Sequence, residues 1–338
     1  MPARLIEPAS TLARASGGDG GRLALRAVER YALVGLWGVM IAVYSSIEPS
    51  IFDTSGTFQT IFGSQAAYVF LAMAFLCTVI VGDFVDLSVA SILGLCATLV
   101  PVLSVFDHLP VALAATIAVA VGACAGAFNG LLVVYLGVDT IVVTLGMSTL
   151  LSGIALAISN LSAVSGLSAS FGKLTLTELW GLPLSFYYGL ALALVFAYVL
   201  AFTPLGRHMR FVGSNREVSR LAGIRVDRIR FGAFLTAGLL SGLGGVVVAA
   251  GLGGFDPSSA ITYLLPTVAA VYLGTAVVRP GEFTPIGALI GVYFLATGVL
   301  GLQELGLAGW ISDVFYGGTL IVTVTFTTLL RGRLAPAQ

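Results

Sequence analysis

The segment from Gly206 to Phe231, GRHMRFVGSNREVSRLAGIRVDRIRF, contains seven of the 16 basic residues of the chain. It interrupts a sequence that is otherwise very apolar, since 58% of all residues are hydrophobic and only 9% are charged. Soluble domains contain roughly 25% charged residues. The mean hydropathy of +1.03 points the same way. The composition therefore predicts a chain embedded in lipid, with this segment in water beside the membrane.

The basic residues form three clusters, which predict the orientation of the chain. Five precede residue 31, seven lie in the segment above and two are close to the C-terminus, which leaves only Lys173 and Arg279 elsewhere. Short loops rich in Lys and Arg stay on the cytoplasmic side during insertion. We therefore expect a retained cytoplasmic tail over residues 1–30, a cytoplasmic loop over 206–230 and cytoplasmic N- and C-termini.

Apolar runs predict about ten transmembrane helices, because a helix needs about 20 mostly apolar residues to cross the hydrocarbon core. The runs cover residues 31–47, 66–82, 87–106, 110–134, 141–158, 186–203, 232–252, 262–278, 284–300 and 311–330. Six of them precede the arginine-rich loop and four follow it, and both even numbers return the chain to the side that it left. We expect an all-α, polytopic membrane protein with one transmembrane domain over 31–333.

Glycine, proline and aspartate interrupt several of these runs. The interruptions in GDFVDLS, YLGVDT and GGFDPSSA predict broken helices. Glycines also recur every four residues, at Gly122, Gly126 and Gly130 and again at Gly287 and Gly291. Small residues at this spacing let two helix backbones approach closely. They predict packing faces, with a role in sliding or gating as the alternative.

Motifs of the common enzyme classes are missing from the sequence. A phosphate-binding loop needs Ser or Thr after its lysine, but Lys173 is followed by Leu174. No HExxH motif surrounds His108 or His208, and no serine lies in GxSxG. The three cysteines are odd in number and show no CxxC spacing. We therefore predict no catalytic, metal or cofactor site in this chain.

Two carboxylates lie close to a predicted span. A charge at the centre of a lone membrane helix costs about 2.5 to 3.5 kcal/mol, so Asp83 and Asp86 should face water or protein. Asp86 precedes LSVAS, and its side chain can accept from the amides that open the next helix. The alternative is that both line a polar solute path. Further candidates for that path, or for interhelical hydrogen bonds, are Ser88, Asn129, Thr140 and Thr144.

A short helix is predicted inside the arginine-rich loop. Ser214 and Glu217 stand at the spacing of a capping box, which places the helix start at about Asn215. Gly223 supplies the usual stop, and an apolar face is formed by Val218, Leu221 and Ala222. Eight residues make a helix of about 12 Å, too short to cross a bilayer. It either rests on anionic headgroups or inserts into a partner protein, and these physical arguments leave both open.

The same loop carries a resemblance to a known family. VGSNREVSRLAGIRVDRIR resembles the cytoplasmic loop of the sugar permeases of bacterial ABC importers of the ribose and xylose type, in which Gly-x-Asn and Gly-Ile precede a basic tail. The matching positions are Gly213, Asn215, Ala222, Gly223 and Ile224. VDLSVAS and DTIVVTLGMSTLLSGIAL resemble two further motifs of this family, in the family's order. The resemblance covers about residues 30–333.

The resemblance implies a permease subunit that imports a monosaccharide or related polyol by alternating access across a bacterial plasma (inner) membrane. It has no catalytic residues, since ATP and Mg are bound by a cytoplasmic ABC ATPase. An extracytoplasmic solute-binding protein, a second permease copy and membrane lipid are the other expected partners, and nucleic acid is not one. The implied ATPase-coupling residues are Gly213, Ser214, Asn215, Glu217, Val218, Leu221, Ala222, Gly223 and Ile224.

Two departures from the family pattern are visible. Asp83 and Phe84 replace glycines that usually precede the Asp-Leu-Ser motif, and Val218 and Ser219 replace paired alanines. The arginines of the loop are expected to orient it and to contact lipid, because exposed ion pairs contribute under about 1 kcal/mol. Alternative functions are a branched-chain amino-acid ABC permease, a proton-coupled secondary carrier with Asp83 or Asp86 as proton site, and a membrane scaffold without transport activity.

Overall fold

The computed structural model describes residues 19–47, 49–52, 54–83, 85–277 and 281–334. Residues 1–18 of the expected tail, as well as Phe84 and Arg279, lie outside this description. The first helix begins at Asp19. The helix thus runs from the basic residues before residue 31 into the apolar run, and the boundary between the tail and the transmembrane domain at residue 31 stays a prediction.

Helices make up nearly all of the described chain. The fifteen α-helices are α1 (Asp19–Ile47), α2 (Pro49–Phe52), α3 (Ser55–Gly63), α4 (Ala66–Ile80), α5 (Val89–Pro101), α6 (Val111–Gly130), α7 (Thr140–Ile158), α8 (Ala169–Leu176), α9 (Leu184–Phe202), α10 (Pro204–Ser214), α11 (Arg216–Leu221), α12 (Val226–Leu252), α13 (Leu264–Leu273), α14 (Pro285–Glu304) and α15 (Trp310–Leu334). The four two-residue strands are β1 (Val164–Ser165), β2 (Glu178–Leu179), β3 (Leu182–Pro183) and β4 (Gly254–Phe255).

The predicted all-α, polytopic membrane fold is confirmed. Among the described residues, eight helical runs are long and apolar enough to cross a membrane: Gly56–Ile80, Val89–Phe106, Val111–Tyr135, Thr140–Ile158, Leu184–Phe202, Val226–Leu252, Pro257–Ala276 and Pro285–Glu304. The other two predicted spans fall on α1, whose apolar part is Leu33–Ile47, and on α15. Each of the ten apolar runs thus corresponds to a helix.

Most of the predicted interruptions lie between successive helices. The chain leaves α4 through Gly82, whose φ of +84° favours glycine, and reaches α5 at Val89. A second glycine with a positive φ, Gly137, follows the π-helical residues that extend α6 and precedes α7. One span is itself composite. The run Pro257–Ala276 joins a 3₁₀ segment, α13 and a second 3₁₀ turn.

Contacts distant in sequence connect segments that the predicted topology assigns to the same membrane face. Strand β1 pairs with β4, so the connection after α7 contacts the connection after α12. The hydroxyl of Ser185, at the start of α9, donates to the carbonyl of Gly63 at the end of α3 over 3.1 Å. Both contacts unite segments expected outside. The packing therefore agrees with the alternation of sides deduced from charge.

Helices α4, α5 and α12 form the centre of the packed domain. α12 packs against α4, α5 and α6, and the largest fully buried side chains include Phe75 on α4, Ile92 on α5 and Phe234 on α12. In contrast, no more than about a third of the α6, α7 and α9 spans is buried, and the rest is half-buried or exposed. These exposed surfaces are apolar, as lipid contact requires.

Glycine faces bring α6 and α12 together. A Cβ at Gly238 would overlap the carbonyl oxygen of Gly122 and lie 2.7 Å from the Cα of Gly126. Gly287 and Gly291 of α14 meet backbone atoms of Gly274 and Ala270 in the same way. The predicted packing role of the recurrent glycines is thus confirmed. Their role in gating stays a prediction.

We predict that Gly238→Ala destabilises the protein, because the new methyl group would meet backbone atoms that cannot rotate away. Overpacking of this kind costs about 1 to 3 kcal/mol. Gly232→Ala is the matched control on the same helix, since a Cβ there meets no atom within 4 Å. Thermal unfolding of the purified chains in detergent measures both effects. Equal melting temperatures for the two variants would contradict the close approach of α6 and α12.

Candidate functional site

The break between α4 and α5 buries a carboxylate. After α4 ends at Ile80, the amide of Asp83 donates to the carbonyl of Thr78 over 3.0 Å, which turns the chain back on itself. The side chain of Asp83 is 2% exposed as a result. A carboxylate in such a position needs cations and hydrogen-bond donors to remain ionised.

Two arginines of the 206–230 loop supply those cations. Arg230 of α12 grips Asp83 with two nitrogens, Nε to Oδ2 at 2.9 Å and Nη2 to Oδ1 at 2.7 Å. Arg216, the first residue of α11, donates through Nη2 to Asp83 Oδ1 at 3.0 Å and to the carbonyl of Gly82 at 2.8 Å. Thr140, the first residue of α7, donates to Asp83 Oδ1 at 3.3 Å. We call these four residues the Asp83 cluster.

The Asp83 cluster ties four elements together. It connects the α4–α5 break with the starts of α7 and α11 and with the N-terminal part of α12. The side chain of Arg230 is 10% exposed and that of Arg216 is 37% exposed. A paired fork of this kind is strong and specific in geometry, and the removal of one buried partner leaves an uncompensated charge. The pair with Arg230 is therefore the more tightly fixed of the two.

A second polar group lies immediately beyond the break. Asp86 accepts from the amide of Ser88 at 3.0 Å and from its hydroxyl at 2.6 Å, and Asn129 of α6 donates to that hydroxyl at 2.8 Å. The amide that donates to Asp86 belongs to Ser88, the residue immediately before α5, which begins at Val89. The expected capping of α5 by Asp86 stays a prediction. The pKa of the Asp86 carboxyl is raised above its ordinary value. Burial is the main cause and the charge of Asp83 adds to it, while the hydrogen bonds from Ser88 act in the opposite direction.

All six residues proposed for the solute path meet around this break. Thr144 of α7 donates to the carbonyl of Thr140 at 2.8 Å and approaches that of Val85 at 3.4 Å. Five of the six are buried, and Thr140 is half-buried. Their hydrogen bonds are interhelical or local, which is the alternative role given above. Their part in solute passage stays a prediction.

A further polar contact was not expected from the sequence. Ser91 of α5 and Ser148 of α7 share a hydrogen bond of 2.7 Å, and Ser152 donates to Ser91 at 3.2 Å. These three serines add interhelical hydrogen bonds between α5 and α7. Serines are common in membrane helices, so their positions gave no signal without knowledge of which faces of the two helices meet.

The short helix of the loop differs from the prediction at its start. α11 covers Arg216–Leu221, and the side chain of Asn215 caps it by accepting from the amide of Val218 at 3.0 Å. The predicted capping box of Ser214 and Glu217 is therefore wrong by one residue. Ser214 ends the preceding helix, α10, and the extended backbone of Asn215 separates the two helices.

Helix α10 is an element that the sequence analysis missed. It begins at Pro204, and the hydroxyl of Thr203 accepts from the amide of Gly206 at 3.3 Å. A threonine cap followed by proline at the first helical position is a recognisable start signal. The density of arginines concealed it, because a charged stretch was interpreted only as a loop.

The residues proposed for ATPase coupling divide into an anchored base and a free tip. At the base, a Cβ at Gly213 would overlap the carbonyl of Ile80, so the loop backbone lies directly against the end of α4. At the tip, Leu221 is 89% exposed, and Val218 and Ala222 are also exposed. Gly223 ends this stretch with a φ of +79°. The structure thus presents an apolar tip at the surface.

Two of the arginines orient the loop, as expected, but they do so through Asp83. Arg216 and Arg230 bond to this carboxylate, which was not predicted as their partner. Arg220 pairs at the surface with Asp227 at 2.8 Å. The available signal was the substitution at position 83, since a carboxylate that replaces glycine beside a membrane needs a cation on the same face. No group of three His, Cys, Asp or Glu suited to a metal ion occurs among the described residues.

Comparison with known proteins gives one family. Residues 57–324 match the family model described as branched-chain amino acid transport system / permease component. The autoinducer 2 import system permease protein LsrC of Salmonella typhimurium is 33% identical over 295 residues, which cover 87% of this chain and 84% of LsrC. The D-allose transport system permease protein AlsC of Escherichia coli K12 is 27% identical over 302 residues, 89% of this chain and 92% of AlsC. No solved structure matches this chain.

We predict that Asp83→Asn strongly destabilises the protein, because it leaves Arg230 buried without a countercharge. Breaking a buried pair costs about 3 to 5 kcal/mol. Asp227→Asn is the matched control, since that carboxylate pairs with Arg220 at the surface and contributes under about 1 kcal/mol. Melting temperatures in detergent measure both. A small and equal loss in the two variants would show that the Asp83 cluster does not hold the four elements together.

Proposed function

The chain belongs to the family of permease components of branched-chain amino acid transport systems, and we propose that it is the membrane subunit of an ATP-driven importer for a monosaccharide or related polyol. It is a multi-pass membrane permease and not an enzyme. The sugar class is supported by its similarity to a D-allose permease and to autoinducer 2 permeases. A bacterial plasma membrane with both termini in the cytoplasm is part of the proposal.

The observation that carries the proposal is the exposed apolar tip of α11 on an electrostatically anchored base. Six helical residues extend about 9 Å, enough to enter a groove in another protein. Leu221 is 89% exposed, although a solvated loop gains nothing from an apolar side chain at its end. Such a tip fits insertion into a partner better than rest on headgroups, because its apolar surface is confined to a few residues. We propose a cytoplasmic ABC ATPase, which binds ATP and Mg, as that partner.

The Asp83 cluster would transmit the motion of the ATPase. A displacement of α11 pulls on Arg216 and hence on Asp83, which joins the α4–α5 break to the N-terminal part of α12 and to the start of α7. Asp86, Ser88 and Asn129 lie within a few residues of that break or in contact with it. Rocking the break would therefore move the proposed solute path. This is the alternating-access step that the geometry supports.

The remaining partners follow from the same proposal. An extracytoplasmic binding protein delivers the solute to the outer ends of the helices, and a second permease copy, identical or related, completes the pathway. A branched-chain amino acid is the second candidate solute, and the description of the matching family model favours it. The two candidates differ in chemistry, since a sugar needs many hydrogen-bonding groups and a leucine side chain needs apolar surface.

We predict that α11 is reached only from the cytoplasm. Leu221→Cys and Trp180→Cys each place a thiol at a position that is 89% exposed, the second between β2 and β3 on the face expected outside. In a Cys124→Ala background, a membrane-impermeant thiol reagent should label position 180 in intact cells and position 221 only in inverted vesicles. Labelling of position 221 in intact cells would reverse the orientation and remove the coupling role of α11.

We predict that Leu221→Glu weakens ATPase association without unfolding the permease. Burial of a leucine contributes about 1.5 to 3 kcal/mol, so its replacement by a charge should weaken association and uptake at least roughly tenfold. Copurification with the ATPase and uptake of labelled monosaccharides in cells are the measurements. The melting temperature should not change, because the side chain is exposed.

Leu161→Glu is the matched control. Leu161 is 79% exposed and follows α7 on the face expected outside, so its substitution should leave ATPase copurification unchanged.

Normal uptake by Leu221→Glu would remove α11 from the mechanism. Uptake of labelled leucine in place of sugar by the wild-type protein would favour the amino-acid candidate. Uptake that survives ATP depletion but fails without a proton gradient would overturn the importer altogether.

A further inference from the structure

A groove of about 780 Å³ lies between α9 and α12 on the side of α4. Both helices pack against α4, and Cys77 of α4 belongs to the lining. At one end the groove meets Ala222, Gly223 and Ile224, the residues that follow α11. It is therefore bounded by α4, α9, α10 and α12 and by the residues that follow α11.

The walls of this groove are apolar along most of their length. They include Val195 and Val199 on α9 and Leu240 on α12. Gly232 also lies in the lining, and a Cβ at this position meets no atom within 4 Å. The groove therefore offers open space beside apolar side chains, on a surface that a membrane surrounds.

The length of the groove corresponds to one leaflet of a bilayer. On α12 its lining extends from Arg228 to Leu240. Twelve residue steps of about 1.5 Å give roughly 18 Å, and one half of the hydrocarbon core is about 15 Å thick. An occupant that fills the groove therefore extends from the headgroup level to about the centre of the bilayer.

The end of the groove at the headgroup level is cationic. Its cations are Arg225 and Arg228, which line it beside His208, and all three side chains are exposed. Asp227, the carboxylate nearest to them in the chain, is paired with Arg220. With the orientation proposed above, these cations face the cytoplasmic leaflet, where anionic lipids are enriched.

We propose that this groove binds one anionic phospholipid, with its phosphate beside Arg225 and Arg228 and an acyl chain along α12. Apolar walls of one leaflet's length together with a cationic mouth match the two parts of such a lipid. Because Ala222 of the apolar tip and the adjacent Gly223 line the same groove, the bound lipid contacts the end of the segment proposed to bind the ATPase. The lipid composition of the membrane would thereby influence coupling.

The experiment uses the full chain, purified in detergent and titrated with phosphatidylglycerol or with phosphatidylcholine of the same acyl chains. Native mass spectrometry counts the bound lipids. We expect tighter binding of phosphatidylglycerol, weakened by added salt. The Arg225→Gln/Arg228→Gln variant, which lacks two arginines near the surface, should bind phosphatidylglycerol roughly thirtyfold more weakly. Its binding of phosphatidylcholine should change little. Arg207→Gln is the matched control, because this exposed arginine lies outside the lining.

A second variant tests the apolar part of the site. Gly232→Trp should fill the groove and displace both lipids while the fold is kept, since its Cβ points into open space. Equal binding of the two lipids by the wild-type chain, or an equal effect of Arg207→Gln, would overturn the proposal. So would displacement of phosphatidylglycerol by inorganic phosphate. Dissociation of a dimer by Gly232→Trp with unchanged lipid binding would assign the groove to a second copy instead.

Discussion

The buried carboxylate of Asp83 is the constraint on which the half of this permease that carries the arginine-rich loop depends. It lies at the end of a central helix, where an unpaired charge is not tolerated. Its two cations come from positions 133 and 147 residues away in sequence. The arginine-rich loop must therefore fold back onto the α4–α5 break for the fold to be stable. An electrostatic requirement thus fixes the position of a segment that hydropathy alone would leave in solvent.

Steric contact reinforces this electrostatic constraint at the same place. The backbone of Gly213 lies against the carbonyl of Ile80, and Gly82 turns with a positive φ beside it. Any larger residue at position 213 would separate the loop from α4 and lengthen the bond from Arg216 to Asp83. The short distances in the Asp83 cluster therefore require glycine in the loop. The glycine faces of α6 and α12 act similarly inside the membrane, where close backbone approach replaces the hydrophobic effect as the source of specificity.

The sequence predicted the spans and their alternation because hydropathy and arginine position are local properties. It also singled out Asp83, Asp86, Asn129 and Thr140, which the structure brings together around the α4–α5 break. It did not predict the ion pairs of Asp83, because their arginines are distant in sequence. An arginine beside a membrane is also usually assigned to water or to headgroups. The cap of α11 was misplaced by one residue for a related reason. The local sequence around Ser214 fits a capping box, but Ser214 is the last residue of α10. Only the packing of the loop shows where α10 ends.

The two arms of the Asp83 cluster are unequal, and the difference bears on how a pulled helix can move others. Arg230 is almost fully buried and bound through two nitrogens, so α12 and the break move as one body. Arg216 is 37% exposed and bound through one nitrogen, so water can replace its contact at far smaller cost. The bond to α11 is therefore the one that can swivel or lengthen during a transport cycle. In the proposed coupling mechanism, α11 would move on the weaker contact of Arg216 while the tighter pair of Arg230 and Asp83 keeps the α4–α5 break and α12 together.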